Sequence, residues 1–183
     1  MDHYLDIKIQ PDAEMRENEL LNKVYTKLHK ILNTLQANDI GVSFPEHRIK
    51  LGQTLRIHGT KQRLTELQQQ NWLGGLTGYC KLSEIQAIPA QVQYRTISRK
   101  QPTMTAAKLQ RLIKRGTIPE TDCKHYKATM FTKGLDNAFV ELQSTSNNQQ
   151  YRLYFAFGEL SQIPGRGDFN QFGLSKTATV PWF

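Results

Sequence analysis

The sequence predicts an α+β fold: a β-α-β-β-α-β lobe over residues 1–94, then a smaller lobe over 95–183 with a basic helix and antiparallel strands. Three features predict it. Apolar residues alternate at period two near the start, a long helical stripe follows directly, and a net charge of +8 is concentrated in residues 95–133.

Leu5, Ile7 and Ile9 alternate with Asp6 and Lys8, as in a strand with one buried face, until Pro11 and Asp12 break the pattern. From Arg16 to Gln36 the apolar positions Leu20, Leu21, Val24, Tyr25, Leu28, Ile31, Leu32 and Leu35 form an amphipathic helical stripe. Asn38 and Asp39 close it. Ile40, Val42 and Phe44 make a second strand that Pro45 stops, and Leu55 and Ile57 make a third. Lys61 to Gln70 reads as a short helix with Leu64 and Leu67 inward, ended by Gly74, Gly75 and Gly78. A fourth strand is expected within Val92 to Ile97. This order is the ferredoxin-like arrangement, which RNA-binding domains use, although it hosts many other functions. The two lobes are expected to meet near Gln93 to Ser98. Beyond them come a basic helix, a linker, two β-rich runs (Phe139 to Ser144 and Tyr151 to Phe157) joined by a hairpin of Ser146, Asn147 and Asn148, and a tail punctuated by glycines.

Between Arg95 and Lys133 ten lysines and arginines stand against two acids, Glu120 and Asp122, while the other residues hold fourteen bases and fourteen acids. The whole charge of +8 therefore sits in one segment, the electrostatic footprint of a polyanion binder. No apolar run is long enough to span a membrane, and the N-terminus has neither the basic nor the apolar part of a secretory signal, so a cytoplasmic location is expected. Cys80 and Cys123 lack a CxxC partner, which predicts two reduced thiols and neither a zinc site nor a disulfide scaffold. HExxH, paired-carboxylate and nucleophile-elbow patterns are missing, and no metal or cofactor is expected. Gly173 to Thr177 lacks the upstream glycine and the strand-to-helix context of a phosphate loop.

Thr103 or Thr105 can cap a helix running to Arg115, with Gly116 placed to end it. At about 100° per residue, Lys108, Arg111, Lys114 and Arg115 share an arc of roughly 120°, opposite Ala106, Leu109, Leu112 and Ile113. Such a cationic stripe suits the phosphate-lined major groove of A-form RNA. An ordinary solvated face, a membrane surface or a calmodulin-like partner would fit the same pattern. Just before the helix, Arg99 and Gln101 have the side chains that pair bidentately with guanine and adenine edges, although both types are also common as plain surface residues. Tyr151 offers a ring on which a terminal base pair could stack, although a strand tyrosine also serves as packing. His29 lies at the rim of the long helix's apolar stripe, between Lys27 and Lys30, where an imidazole could move protons near neutral pH, although a rim histidine making one structural hydrogen bond fits the same position. His3, His47, His58 and His125 show no evident partner in the sequence. Ser144 ends a strand before the hairpin and is unremarkable alone.

Several segments together carry a resemblance. Met1-Asp2-His3-Tyr4-Leu5-Asp6-Ile7, Lys27-Leu28-His29, Ile40-Gly41-Val42-Ser43-Phe44-Pro45, Leu55-Arg56-Ile57-His58, Tyr94-Arg95 with Ser98-Arg99 and Gln101, Gly173-Leu174-Ser175-Lys176 and Val180-Pro181-Trp182-Phe183 closely resemble the CRISPR repeat-processing endoribonucleases of type I-F systems. The likeness runs end to end in the same order. It implies a protein, monomeric when alone, that cuts repeat RNA without metal at the 3′ base of a hairpin. The upstream 2′-hydroxyl attacks the scissile phosphate and leaves a 2′,3′-cyclic phosphate or a 3′-phosphate. The enzyme then stays on the hairpin of the mature crRNA as a subunit of the surveillance complex. A subunit that binds the hairpin without cutting is the alternative.

The same resemblance implies that His29 is catalytic, that Ser144 holds the nucleophilic hydroxyl, and that Arg99 and Gln101 read bases at the bottom of the stem. It places Tyr151 where a phenylalanine stacks, and Lys108, Arg111, Lys114 and Arg115 in the groove helix. Two departures stand out. Phe172 occupies the position of a tyrosine thought to orient the active site, and phenylalanine donates no hydrogen bond. Lysines replace some groove arginines, which gives single phosphate contacts in place of bidentate ones.

Overall fold

The computed structural model describes residues 1–101, 106–132, 136–144 and 149–183. The N-terminal lobe is built from β1 (His3–Ile9), α1 (Glu17–Thr34), β2 (Gly41–Ser43), β3 (Thr54–Gly59), α2 (Lys61–Gln69), β4 (Cys80–Leu82) and β5 (Gln86–Ala87). Its sheet runs β2-β3-β1-β4 with antiparallel neighbours, and β5 also pairs with β1. Leu5, Ile7 and Ile9 of β1 face the helices, and α1 covers them with Leu20, Val24, Tyr25, Leu28 and Leu32. The period-two and period-3.6 patterns of the sequence meet here as two faces of one core. Thr60 caps α2 by accepting from the Arg63 amide.

The expected order of elements is present, with one strand displaced. The position beside β1 belongs to Cys80–Leu82 and not to the segment Val92 to Ile97. That later segment splits into β6 (Gln93–Arg95) and β7 (Ile97–Lys100), which join different sheets. β4 is only three residues long and follows a 3-10 turn over Gly74–Tyr79, so it is too short to show an alternating pattern.

The C-terminal half contributes α3 (Ala106–Lys114), α4 (Cys123–Thr132), β8 (Phe139–Gln143), β9 (Gln150–Phe157) and β10 (Val180–Trp182). β7, β9 and β8 form a three-stranded antiparallel sheet with β9 at its centre. α4 lies where a linker was expected; Cys-Lys-His-Tyr-Lys-Ala-Thr-Met-Phe-Thr has no apolar stripe by which to recognise a helix. α3 ends as expected at Gly116, whose φ is +69°. The Gly116 and Thr117 amides donate to the Ile113 and Leu112 carbonyls, the paired bonds of a Schellman turn. The threonine cap and the hairpin tip fall outside the described residues.

One hydrophobic cluster joins the two halves: Val140, Leu142, Leu153, Phe155, Leu174 and Val180 pack with the β1–α1 core. β10 pairs with β6 and brings the last residues back to the N-terminal sheet. There Arg56 of β3 binds both Asp6 carboxylate oxygens and the Phe183 main-chain oxygen, with its guanidinium over both the Tyr4 and Phe183 rings, which meet edge-on. The Val-Pro-Trp-Phe ending is thus a structural latch.

Two histidines without evident sequence partners have them in the fold. His47 stacks on Phe157 at 3.7 Å. His58, fully buried, shares a 2.8 Å hydrogen bond between its Nε2 and Ser43 Oγ. Burial, and then the Arg56 charge, lower its pKa from 6.5 to about 3. The unfolded chain protonates this imidazole below about pH 6.5 while the native state refuses the proton, so stability present above that pH is lost as pH falls toward 3. Urea unfolding at pH 7 and pH 5 should show the wild type losing about 2 kcal/mol more than His58→Gln over that interval.

Candidate active site

α1 presents Tyr25 and His29 on one face, one turn apart. Both reach the tail. The buried Tyr25 hydroxyl donates to the Phe172 carbonyl at 2.7 Å, and burial raises its pKa so that it keeps its proton. The half-buried His29 places Nδ1 2.9 Å from the Gln171 carbonyl, and its ring lies on Phe172 at 3.9 Å with 11° between planes. A carbonyl only accepts, so Nδ1 carries the hydrogen. In the neutral ring the free lone pair is therefore on Nε2. Phe172 does not need a hydroxyl to fix this imidazole: the stack sets the plane and the neighbouring carbonyl sets the tautomer.

The loop that does this, residues 168–177, is held at every turn. Asn170 Oδ1 accepts from the Phe172 and Leu174 amides at 2.9 and 3.2 Å. The Phe169 amide donates to Asn38, the Val42 amide to the Gly173 carbonyl, and the Ser175 amide to Ile97. Gly173 has a φ of +70°, and a Cβ there would meet Val42 Cγ1 at 2.7 Å, so only glycine fits. The stretch that lacks the marks of a phosphate loop is the clamp between the lobes.

The C-terminal sheet brings a second group of residues to the same side. Its inward face carries Leu142, Tyr151 and Phe155, with Tyr25 packed edge-on against Phe155. The Arg99 guanidinium sits 5.7 Å over the Tyr151 ring. Ser98 and Arg99 also border a groove of about 410 Å³ whose far wall is the 168–177 loop. Gln101 is exposed, just past β7. Ser144 is half-buried at the end of β8, its amide bonded to the Gln149 carbonyl at 2.9 Å.

His29 and Ser144 lie at the same end of a seam between α1 and β8. Asn22 Oδ1 accepts from the Glu141 amide at 2.9 Å, and residues 16–22 line a cleft with residues 137–141, so helix and strand advance together. Seven residues along α1 from Asn22 is about 10 Å. Three residues along β8 from Glu141 is also about 10 Å. α3 stands apart, with α4 as its main packing partner. Leu109 is buried, Leu112 and Ile113 are half-buried, and Lys108, Arg111, Lys114 and Arg115 are all exposed, as the sequence stripe requires. Among the described residues, no three His, Cys, Asp or Glu side chains form a metal-holding group.

Sequence reasoning missed Tyr25, Asn170 and the Gln171 carbonyl. Tyr25 reads as one more member of the apolar stripe, and a backbone carbonyl leaves no mark in a sequence.

Residues 4–183 match the family described as CRISPR-associated protein (Cas_Csy4). The chain belongs to that family. It is 37% identical over 184 residues to the CRISPR-associated endonuclease Cas6/Csy4 of Escherichia coli (strain UTI89 / UPEC), covering 100% of both chains. It is also 37% identical over 187 residues, again covering 100% of both, to the protein of the same name from Pseudomonas aeruginosa (strain UCBPP-PA14). Within this Csy4 family member, the tie from Tyr25 to the Phe172 carbonyl joins helix to clamp. Tyr25→Phe leaves that buried carbonyl without its donor and should lower unfolding free energy by about 1–3 kcal/mol in urea titrations.

Proposed function

We propose that this chain is a hairpin-specific endoribonuclease that processes CRISPR precursor RNA. It cuts at the 3′ base of the repeat hairpin and needs no metal. The observation that carries this reading is the His29 ring, held by the Gln171 carbonyl and the Phe172 stack with Nε2 as the free acceptor. Nε2 takes the proton of the 2′-hydroxyl just upstream of the cut, and Ser144 holds that hydroxyl in line. The 2′-oxygen bonds to phosphorus, the bond to the 5′-oxygen breaks and that oxygen takes up a proton, leaving a 2′,3′-cyclic phosphate. General base action of this kind contributes on the order of 10² to 10⁴ in rate, and in-line placement adds to it.

Tyr151 offers its ring to the last base pair of the stem, and Arg99 and Gln101 read base edges there. The exposed cations of α3 hold the stem phosphates. No helix among the described residues is long and apolar enough to cross a membrane. In this reading the protein works in the cytoplasm, monomeric until it joins the type I-F surveillance complex on its product hairpin.

His29→Ala should abolish cleavage in EDTA while leaving hairpin affinity nearly unchanged. Wild-type protein should cut the repeat but not a copy with a 2′-deoxy nucleotide before the cut. If it binds both copies and cuts neither, the protein is the passive hairpin-binding subunit. Arg115→Gln should weaken hairpin binding and reduce the slope of log K against log salt by about one unit. An unchanged slope places that side chain away from the phosphates.

A further inference from the structure

The β7-β9-β8 sheet has a second face, opposite Leu142, Tyr151 and Phe155, that the cutting reaction does not use; at one corner its Phe139, Glu141 and Arg152 border the cleft lined by residues 16–22. Strand alternation puts Lys100, Tyr154 and Phe139 there in one row across all three strands, because Tyr154 pairs with Lys100 on one side and Phe139 on the other. The two rings lie 5.4 Å apart, and Phe139 stays 38% exposed. One row along, Arg152 pairs with Glu141, and its guanidinium swings 4.4 Å over the Phe139 ring. Glu141 Oε1 holds Arg152 Nε at 3.0 Å, so the nearest acid is already engaged by that arginine. The surrounding outward positions are Ser98, Gln143, Gln150 and Ala156, with no leucine, isoleucine or valine among them.

We infer that this outer face is a second RNA site, which binds single-stranded RNA flanking the hairpin by stacking bases on Phe139 and Tyr154 while Arg152 and Lys100 meet the phosphates. Aromatic rings on neighbouring strands with cations beside them are how sheet surfaces hold unpaired nucleotides. The face offers rings, cations, amides and a hydroxyl, groups that the base, phosphate and ribose of a nucleotide can each engage. The location fits: the row lies five residues back along β8 from Ser144, about 17 Å from the proposed cutting point. The inference rests on the endoribonuclease reading for the source of the RNA, which can be the strand entering the hairpin or the strand leaving it.

The test is a binding titration of the full chain with the bare repeat hairpin, with an eight-nucleotide 5′ extension, and with an eight-nucleotide 3′ extension carrying a 2′-deoxy nucleotide before the cut. One extended RNA should bind about five- to hundredfold tighter than the bare hairpin, and which one gains identifies the flank. Phe139→Ser and, separately, Arg152→Gln should remove that gain and leave bare-hairpin affinity unchanged. Equal affinity of wild type for all three RNAs overturns the inference, as does a variant of unchanged melting temperature that weakens bare and extended RNAs alike. Failure to bind even the bare hairpin overturns the proposed function instead. In that event an eight-nucleotide uridine oligomer decides the inference: binding lost in either variant supports it, and no wild-type binding ends it.

Discussion

The attachment of residues 168–177 to α1 is the constraint from which the rest of the molecule follows. Four elements converge on this loop: α1 through Tyr25 and His29, the turn at Asn38, β2 through Val42, and β7 through Ile97. Each contact is a main-chain group of the loop or a ring beside it. The loop's backbone, satisfied within the protein, thereby becomes a rigid wall for an imidazole. A histidine at a helix rim would otherwise sample several rotamers and both tautomers. Here a ring face and a carbonyl fix both, and the carbonyl is placed by its own neighbours, the Asn170 side chain and the Tyr25 hydroxyl on the next residue.

The same arrangement explains why the two halves of the chain cannot be assigned their roles separately. α1 belongs to the N-terminal sheet, yet its tyrosine packs on Phe155 of the C-terminal sheet and its Asn22 binds the β8 backbone. β10 returns to pair with β6, and Arg56 fastens Phe183 over β3. Across these joints the cost of ordering a short tail is offset by burial of Leu174, Ala178 and Val180 in the shared core. The net charge is kept out of this framework. It resides on the β7 edge and on α3 and α4, where it adds no self-repulsion to the core lobe and remains accessible to a polyanion.

Much of the fold was legible because most of its elements obey one period each. β1, α1 and α2 bury one face against one core, so their patterns are clean, and β3, buried on both faces, still alternates because polar Arg56 and His58 fill its second face. The failures occur where that condition does not hold. Cys80–Leu82 is too short to alternate, and residues 93–100 serve two sheets and so carry no single period. Among the described side chains of α4 none is fully buried; Cys123, Tyr126, Thr129 and Met130 are half-buried. For the candidate site, residue type and likeness pointed to His29, Ser144, Tyr151 and Arg99. The means by which His29 is held could not be read, because its partners are a main-chain carbonyl 142 positions away and a ring that only the folded tail brings near.

Phe172 is where these considerations bear on chemistry. A tyrosine at this position would orient the histidine with a hydroxyl and would share a proton acceptor with it. A phenylalanine orients it with a face alone. The face-to-face stack leaves both ring nitrogens in the imidazole plane, free of competition from a phenolic donor. Nδ1 is then committed to the Gln171 carbonyl, and only Nε2 remains for substrate. In the proposed reaction a proton taken up at Nε2 leaves from the same atom, because the stacked phenyl ring offers it no acceptor. With phenylalanine at this position the plane of the histidine is left to packing, and its tautomer is set by one main-chain carbonyl.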